Sequence, residues 1–352
     1  MSHEQTSRII RCAEPYCEAV KTRDFLERVK RYVAWESFRP LLDEALKRKA
    51  QDPGHNKGGR PPYDAVLMFK VLVLQALHNL SDEQTEYQIL DRMSFMRFLD
   101  LEMHDTVPDA RTIWLFRETL REAGAVERLF ARFDVMLAAR GFMASGGQII
   151  DATFVEVPRQ RNGRDDNAHI KETGTVPEEW SDKKKAHKDV QARWAKKNSV
   201  AFFGYKNHVS VDARNKFIRR YKVTDASVHD SQVFDDILDP NNESKDAYAD
   251  SAYRSEEQER RLKARGYVSH IHERAYRGKP LTEERKAANT EKSRVRARVE
   301  HVFGHIETSM KGCFVRTIGI ARAEAKIGLE NLAYNISRFA YLMRSKGGAM
   351  PA

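Results

Sequence analysis

The chain is poor in cysteine. It has three in 352 residues, Cys12, Cys17 and Cys313, and no CxxC pair. An odd set of this kind excludes a disulfide framework and a zinc ribbon. Long apolar runs are missing too. The best, "AVLMFKVLVLQAL", is too short to cross a bilayer and contains Lys70. No secretory leader, internal repeat or GxxxxGK[ST] loop is visible, which removes the expectation of ATP dependence. These absences predict a soluble protein of a reducing, cytoplasmic compartment with no membrane partner. What is in excess is positive charge. Lys and Arg number 61 against 51 Asp and Glu, a formal net charge of +10. Such an excess favours polyanion partners such as nucleic acid and says nothing about fold.

Periodicity divides the chain. Up to Gly141 the apolar residues recur at helical spacing, as in "RDFLERVKRYVAW" and "SFRPLLDEALKRKA". A Gly/Pro-rich basic linker, "QDPGHNKGGRPP", precedes a helix over Tyr63–Asn79. Ser81 is placed to cap a helix ending near Leu90. Asp109 is placed to cap another that stops at Gly124, and a further helix ends at Gly141. From Gly146 the pattern changes. "GGQIIDATFVEV" reads as a buried strand. Residues 158–200 are polar and read as an exposed insertion or flexible loop. Two strands follow, "FGYKNHVSVDA" and "KFIRRYKVTDA", with Asn215–Lys216 as a hairpin turn. A short helix is expected over His229–Leu238, a strand at "DAYADSAY", a helix over Ser255–Arg265, a strand at "GYVSHI" and two late helices.

The second half therefore reads β-(insertion)-β-β-α-β-α-β-α. That order predicts an α/β, ribonuclease H-like catalytic domain, a mixed sheet with flanking helices, over 146–345. An all-helical N-terminal DNA-binding domain would occupy 1–145 and a tail 346–352.

Carboxylates carry the chemistry in this reading. Asp151 sits near the end of the first strand, Asp250 ends the short strand "DAYAD", and Glu300 lies on the late helix "SRVRARVEHVFGHI". Singly, each would more often be a turn former or a solvated charge. In this order they can converge, at a cost in repulsion and desolvation that a divalent cation removes. Mg²⁺ takes oxygen ligands, and two such ions can stabilise the attacking and leaving oxygens of a phosphodiester displacement. On a helical wheel Val295, Val299, Val302 and Ile306 form a buried stripe flanked by Arg296 and Glu300, with Arg294, Arg298, His301 and His305 on the other side.

Other features admit blander roles as well. Lys183, Lys184, Lys185, Lys188, Arg193, Lys196 and Lys197 make the insertion basic enough for DNA-backbone contact, or leave it a solvated loop. Trp180 and Trp194 could stack on an extruded base, with surface packing preferred. The helices over 63–100 could form a helix-turn-helix, with Arg92, Arg97, Arg111 and Arg117 as candidate contacts. His301 and His305 lack a third zinc ligand, so DNA contact or exposure is expected for them. His229 reads as a cap. Lys206 or His208 could face the site from the strand beside that of Asp151.

Several blocks, "IIDATFVEVP", "FGYKNHVSVDA", "ASVHDSQ", "YADSAYRS" and "RARVEHVFGHI", resemble those of bacterial insertion-sequence transposases of the DDE class, with the insertion-sequence-five group the most similar type. "GRPPYDAVLMFKVLVLQALHNLSDEQTEYQILDRMSFMRFL" and "VPDARTIWLFRETL" resemble that group's helical N-terminal domain. The resemblance implies a Mg²⁺-dependent enzyme, with two ions and Mn²⁺ able to substitute. Asp151, Asp250 and Glu300 would be the metal-binding catalytic triad and Arg296 its partner. The partners implied are transposon terminal repeats and target DNA, bound by a dimer or larger assembly in the bacterial cytoplasm, at the nucleoid. Arg294, Arg298, Lys183, Lys184, Lys185 and Arg111 are the candidate DNA contacts. Where related enzymes carry Tyr and Lys helpers, this chain has Ser293 and Glu307, with Lys311 one turn on. A catalytically inactive DNA-binding regulator and a Mg²⁺ nuclease without strand transfer are the rival readings.

Overall fold

A computed structural model describes residues 24–47, 61–197, 199–275 and 280–345. The linker, apart from Pro61 and Pro62, and the tail at 346–352 lie outside them. Contacts divide the chain into two units: one within 1–75, 80–125 and 336–352, the other within 76–79 and 126–335.

The first unit is helical. Local signals set its helix starts. Asp24 accepts from the Leu26 amide at 2.9 Å, opening α1 (Phe25–Tyr32). Next come α2 (Arg39–Ala45) and α3 (Ala65–His78). The first eleven residues of α3 are buried or half-buried, Lys70 included, so it shows no polar face to read. Ser81 and Gln84 close a capping box on α4 (Asp82–Asp91). After α5 (Met93–Leu99), Asp109 caps α6 (Ala110–Glu122) by accepting from Thr112 at 2.6 Å. Trp35 packs its ring edge against Phe69 and Phe98, with centroids 5.9 and 5.6 Å away. Arg117 grips both carboxylate oxygens of Asp82 at 2.6 and 2.8 Å and reaches Gln75 at 2.9 Å. It is a structural clamp here. Arg97 likewise holds Asp24 at 3.1 Å, while Arg111 is exposed.

The second unit begins at α7 (Ala125–Ala139) and is built on a six-stranded sheet. Its strands are β1 (Gln148–Glu156), β2 (Arg193–Lys197), β3 (Val200–Asp212), β4 (Ile218–Asp225), β5 (Asp246–Ala249) and β6 (Val268–Ile271). The order is β2-β3-β1-β5-β6, and β4 pairs the far half of β3 on the edge that β2 also uses. β1, β3 and β4 are antiparallel, whereas β5 and β6 run parallel to β1. Three antiparallel strands extended by two parallel ones, with helices on both faces, make the ribonuclease H-like fold. The β3–β4 hairpin is pinned by Asp212, whose carboxylate accepts from Asn215 and Phe217 at 2.6 and 3.0 Å. Gly204 allows β3 to pass β1, because a Cβ there would stand 2.2 Å from the Val155 carbonyl oxygen.

Of the two expectations for residues 158–200, the exposed insertion fits and the flexible loop does not. These residues contain α8 (Arg164–Thr173), α9 (Asp182–Ala186) and β2. Buried Asp189 is the reason. It accepts from the Gln191 and Ala192 amides, from the Tyr205 hydroxyl at 2.6 Å and from the Gly319 amide. Trp180 is buried and donates to Asp166 at 3.0 Å, and Lys184 joins the same carboxylate at 3.1 Å.

The helix expected over 229–238 is broken into a 3₁₀ turn (Asp230–Gln232) and α10 (Phe234–Ile237). His229 caps that turn, accepting from the Ser231 amide. α11 (Glu256–Ala264) starts at the Ser255 cap. α12 (Glu283–Gly304) passes into a π-turn over His305–Ser309, and α13 is Ile320–Ser345. α12 packs across β1 and β5.

Candidate active site

Strand register decides which side chains can meet. Asp151 pairs with Val209 across the antiparallel β1–β3 ladder, so its side chain shares a face with Val209 and Asn207. On the other side Ile149 is level with Tyr248 in parallel β5. Two residues further along each strand are Asp151 and Asp250. Ala249 is level with Ile271 of β6, and the His272 amide donates to Ala249 at 3.1 Å. Asp151, Asp250 and His272 thus form a row just past the carboxyl ends of β5 and β6. Asp151 itself is the fourth of the nine residues of β1 and so lies within its strand, not near its end as expected, because the pairing with β3 continues to Glu156.

α12 lies over this row. Its apolar stripe is as expected from the wheel: Val299, Val302 and Ile306 are buried and Val295 is half-buried. Arg296 donates to Asp151 Oδ2 at 2.8 Å and to Glu300 Oε1 at 3.4 Å. Asp250 is held by accepting from the Ala252 amide at 2.8 Å, as the cap of a 3₁₀ turn. Burial pushes the Asp151 carboxyl up to about 6, against the pull of Arg296 and with a further push from Asp250. The charge of Lys197, on β2 of the insertion, also reaches Asp151. His272 is pulled below its ordinary range by burial, with Arg296 and Lys292 adding to the effect. Sequence reading passed over His272. The parity of β5 against β6 is the signal that finds it.

The three carboxylates are linked but not gathered. Among the described residues no three His, Cys, Asp or Glu side chains already form a group that could hold an ion. Arg296 sits between Asp151 and Glu300, and the Glu300 side chain is 63 % exposed. Asp151 and Asp250 nonetheless suit a hard divalent cation. Both offer carboxylate oxygen, and Asp151 carries a charge that its surroundings disfavour. Glu300 is the third oxygen donor within reach of the same arginine.

Other candidates fall elsewhere. Lys206 and His208 share a face with Ala152 and Phe154, the face opposite Asp151. Lys206 is buried and donates to Val228 O and Asp230 Oδ1 at 2.7 and 2.8 Å. Arg294 is exposed and pairs with Glu291. Arg298 donates to the Ala213 carbonyl at 2.6 Å and lines an open cleft of about 710 Å³ with Arg214, Lys216 and Glu243. In the insertion, Lys183 is exposed, Lys184 is committed to Asp166, and Lys185 donates to the Glu178 carbonyl. Trp194 is 51 % exposed beside Phe203. The His305 ring meets Tyr334 edge-on. Ser293 lies 3.4 Å from the His272 ring, and Glu307 and Lys311 are exposed.

A ribonuclease H-like sheet that brings Asp151 and Asp250 together from neighbouring strands defines the fold class. The comparisons narrow the class. Residues 144–336 match the family described as "Transposase DDE domain", and residues 15–119 match "Transposase domain (DUF772)". The chain belongs to the DDE-domain transposase family. A solved piggyBac transposase synaptic complex with hairpin DNA is similar at a TM-score of 0.45 and 13% identity, over 94% of this chain and 77% of that one. No helix among the described residues is long and apolar enough to cross a membrane.

Proposed function

We propose that this transposase binds the ends of an insertion sequence, cleaves them by metal-dependent phosphodiester hydrolysis, and joins the freed 3′-hydroxyls to target DNA. The observation that carries the reading is the adjacency of Asp151 and Asp250 under the helix bearing Arg296 and Glu300, in a chain of this family.

Asp151 and Asp250 would hold Mg²⁺, or Mn²⁺ in its place, with Glu300 completing the set. The bound cations would supply charge stabilisation for the attacking and leaving oxygens of the displacement. Asp250 is held in place by the turn that follows it. Arg296 neutralises Asp151 in the resting protein and orients Glu300 toward the pair. The rigid sheet fixes the two aspartates before DNA arrives, which is what positioned catalysis needs.

DNA contact falls to exposed Arg298 and Arg214 with half-buried Lys216 in the open cleft, and to exposed Arg294 and Lys183; in the helical unit the exposed candidate is Arg111. Contacts of this kind set register and affinity rather than sequence preference. Synapsis of two ends calls for a dimer or larger assembly on DNA. The domain division proposed is a helical end-binding region over 1–145, a catalytic region over 146–345 and a tail at 346–352.

The test is a strand-transfer assay with a mini-transposon, a target plasmid and Mg²⁺. Joined products from wild type, lost in Asp250→Asn and Glu300→Gln, are expected. Cleavage without joining would make the chain a nuclease. Binding without cleavage, unchanged by Glu300→Gln, would leave only a DNA-binding regulator.

A further inference from the structure

His270 of β6 and His272 just past it point to one face of the sheet, the face that Tyr248 and Asp250 share. Asp250 and His272 are level on neighbouring strands, so their side chains start about 5 Å apart. The two imidazoles are used differently. The His270 ring stacks on Tyr248, centroids 4.5 Å apart, and its Nε2 lies 2.7 Å from Asp246 Oδ1. Among the described residues the His272 ring has one hydrogen-bonding contact, with exposed Ser293 Oγ at 3.4 Å.

The backbone of His272 is nevertheless fixed from both sides. The peptide joining Ile271 to His272 donates its N–H to the Ala249 carbonyl at 3.1 Å. Its oxygen accepts from Arg254 Nη1 at 3.2 Å and from Lys292 Nζ at 3.0 Å. Three bonds thus hold a residue whose side chain does little for the fold, which is how a group positioned for a ligand is built. The neighbours set the charge of that ligand. Ser293 lies between Lys292 and Arg296 on α12, the helix that reaches Asp151. Glu273 and Glu259 are paired with Arg285 and Arg254, and Asp250 would be engaged by the cation of the loaded site. What remains around the imidazole is positive and suits an anion.

We propose that His272 is a further residue of the active site, its imidazole donating a hydrogen bond to a phosphate oxygen of the DNA strand cut at Asp151 and Asp250. The inference rests on the DNA-cleaving role proposed above. The experiment compares full-length wild type, His272→Ala, His272→Gln and Asp250→Asn. Each is measured by single-turnover cleavage of a mini-transposon end in saturating Mn²⁺, by Mn²⁺ titration calorimetry and by thermal unfolding. Wild type should cut and bind Mn²⁺, and Asp250→Asn should do neither. His272→Ala should cut about 10–100-fold more slowly, the loss of a hydrogen bond to a charged group, while it melts and binds Mn²⁺ as wild type does. His272→Gln, whose amide still donates, should recover part of the rate. Cleavage by His272→Ala at the wild-type rate overturns the inference and leaves the cleavage role standing. So does weaker Mn²⁺ binding by His272→Ala, which would make the imidazole a metal ligand. So does a lower melting temperature that accompanies the rate loss in both His272 variants, which would make its role structural. Failure of wild type to cut overturns both.

Discussion

Replacing Asp151 by asparagine should stabilise the protein at neutral pH while removing its activity. The side chain is 14 % exposed, and its carboxyl ionises only at about 6 instead of 3.8 because burial outweighs Arg296. A carboxyl whose pKa is higher in the folded than in the unfolded chain favours folding when protonated. Its contribution is complete below 3.8 and is lost as pH rises through about 6. That interval corresponds to about 3 kcal/mol, at about 1.36 kcal/mol per pH unit. About 2 kcal/mol of it falls between about pH 4.5 and about pH 8. Asparagine mimics the protonated acid at every pH, so Asp151→Asn escapes this loss.

The assay is urea unfolding of both proteins across that range without divalent metal. Subtracting wild type from variant cancels every other titrating group, including buried Glu330 and His208, and cancels any fixed difference between Asn and a protonated Asp. The difference should widen in favour of the variant as pH rises, by about 2 kcal/mol from about pH 4.5 to about pH 8. Saturating Mn²⁺ should shrink it, because a bound cation offsets the charge in wild type alone. A difference that stays flat with pH would refute the claim that Asp151 carries an unfavourable charge.

Gly204→Ala should cost about 3 kcal/mol or more by urea unfolding, since φ is +153° and the new Cβ would stand 2.2 Å from Val155 O. Arg117→Ala should destabilise the helical unit by about 2 kcal/mol in urea unfolding, as for a half-buried bidentate pair, and leave the salt dependence of DNA binding as in wild type. Arg214→Ala and Arg298→Ala should do the reverse for DNA. Each should reduce the slope of log affinity against log salt by about 0.9 if it contacts one phosphate, as read by fluorescence anisotropy over a salt series. Lys184→Ala, which loses Asp166, should destabilise the insertion and leave that slope alone.

What could be read from the sequence depended on how far apart the interacting residues stand. The caps at Ser81 and Asp109 satisfy amides three residues away, so their one-letter context suffices. The succession of strands and helices along the chain and the place of Asp250 just after β5 also follow from local pattern, whereas Asp151 lies in the middle of β1 because the pairing with β3 runs on to Glu156. Asp189 does not: its partners Tyr205 and Gly319 lie 16 and 130 residues on, so a buried hub looked like one more solvated charge. Arg117 misled in the opposite direction, as an exposed-looking cation that is clamped on Asp82. The side of the sheet that Lys206 and His208 occupy needed the β1–β3 register, since a slip of one residue exchanges the faces. The π-turn at His305–Ser309 has no counterpart in helical periodicity. It shifts the residues after Glu300 relative to the helix, so counting forward to Glu307 or Lys311 does not fix where either side chain points.

The site's charges and its scaffold make opposite demands, and the sheet reconciles them. Asp151 and Asp250 repel each other and are held side by side, which is unfavourable without a cation. Asp151 is held because β1 is paired along its whole length with β3, and Asp250 because β5 pairs with the start of β1 and the turn that Asp250 caps fixes its carboxylate. Arg296 is the part that can move. It reaches Asp151 from a helix by a long side chain and keeps a second, weaker contact with Glu300 on the exposed surface. A cation arriving at Asp151 would compete with Arg296 for the same oxygen, and the displaced guanidinium would still have Glu300 or a DNA phosphate to bind. The rigid members of the site are thus the ones whose repulsion must be endured. Arg296 and Glu300, on long side chains with one strong and one weak contact, are those whose position would change on the proposed binding of a cation.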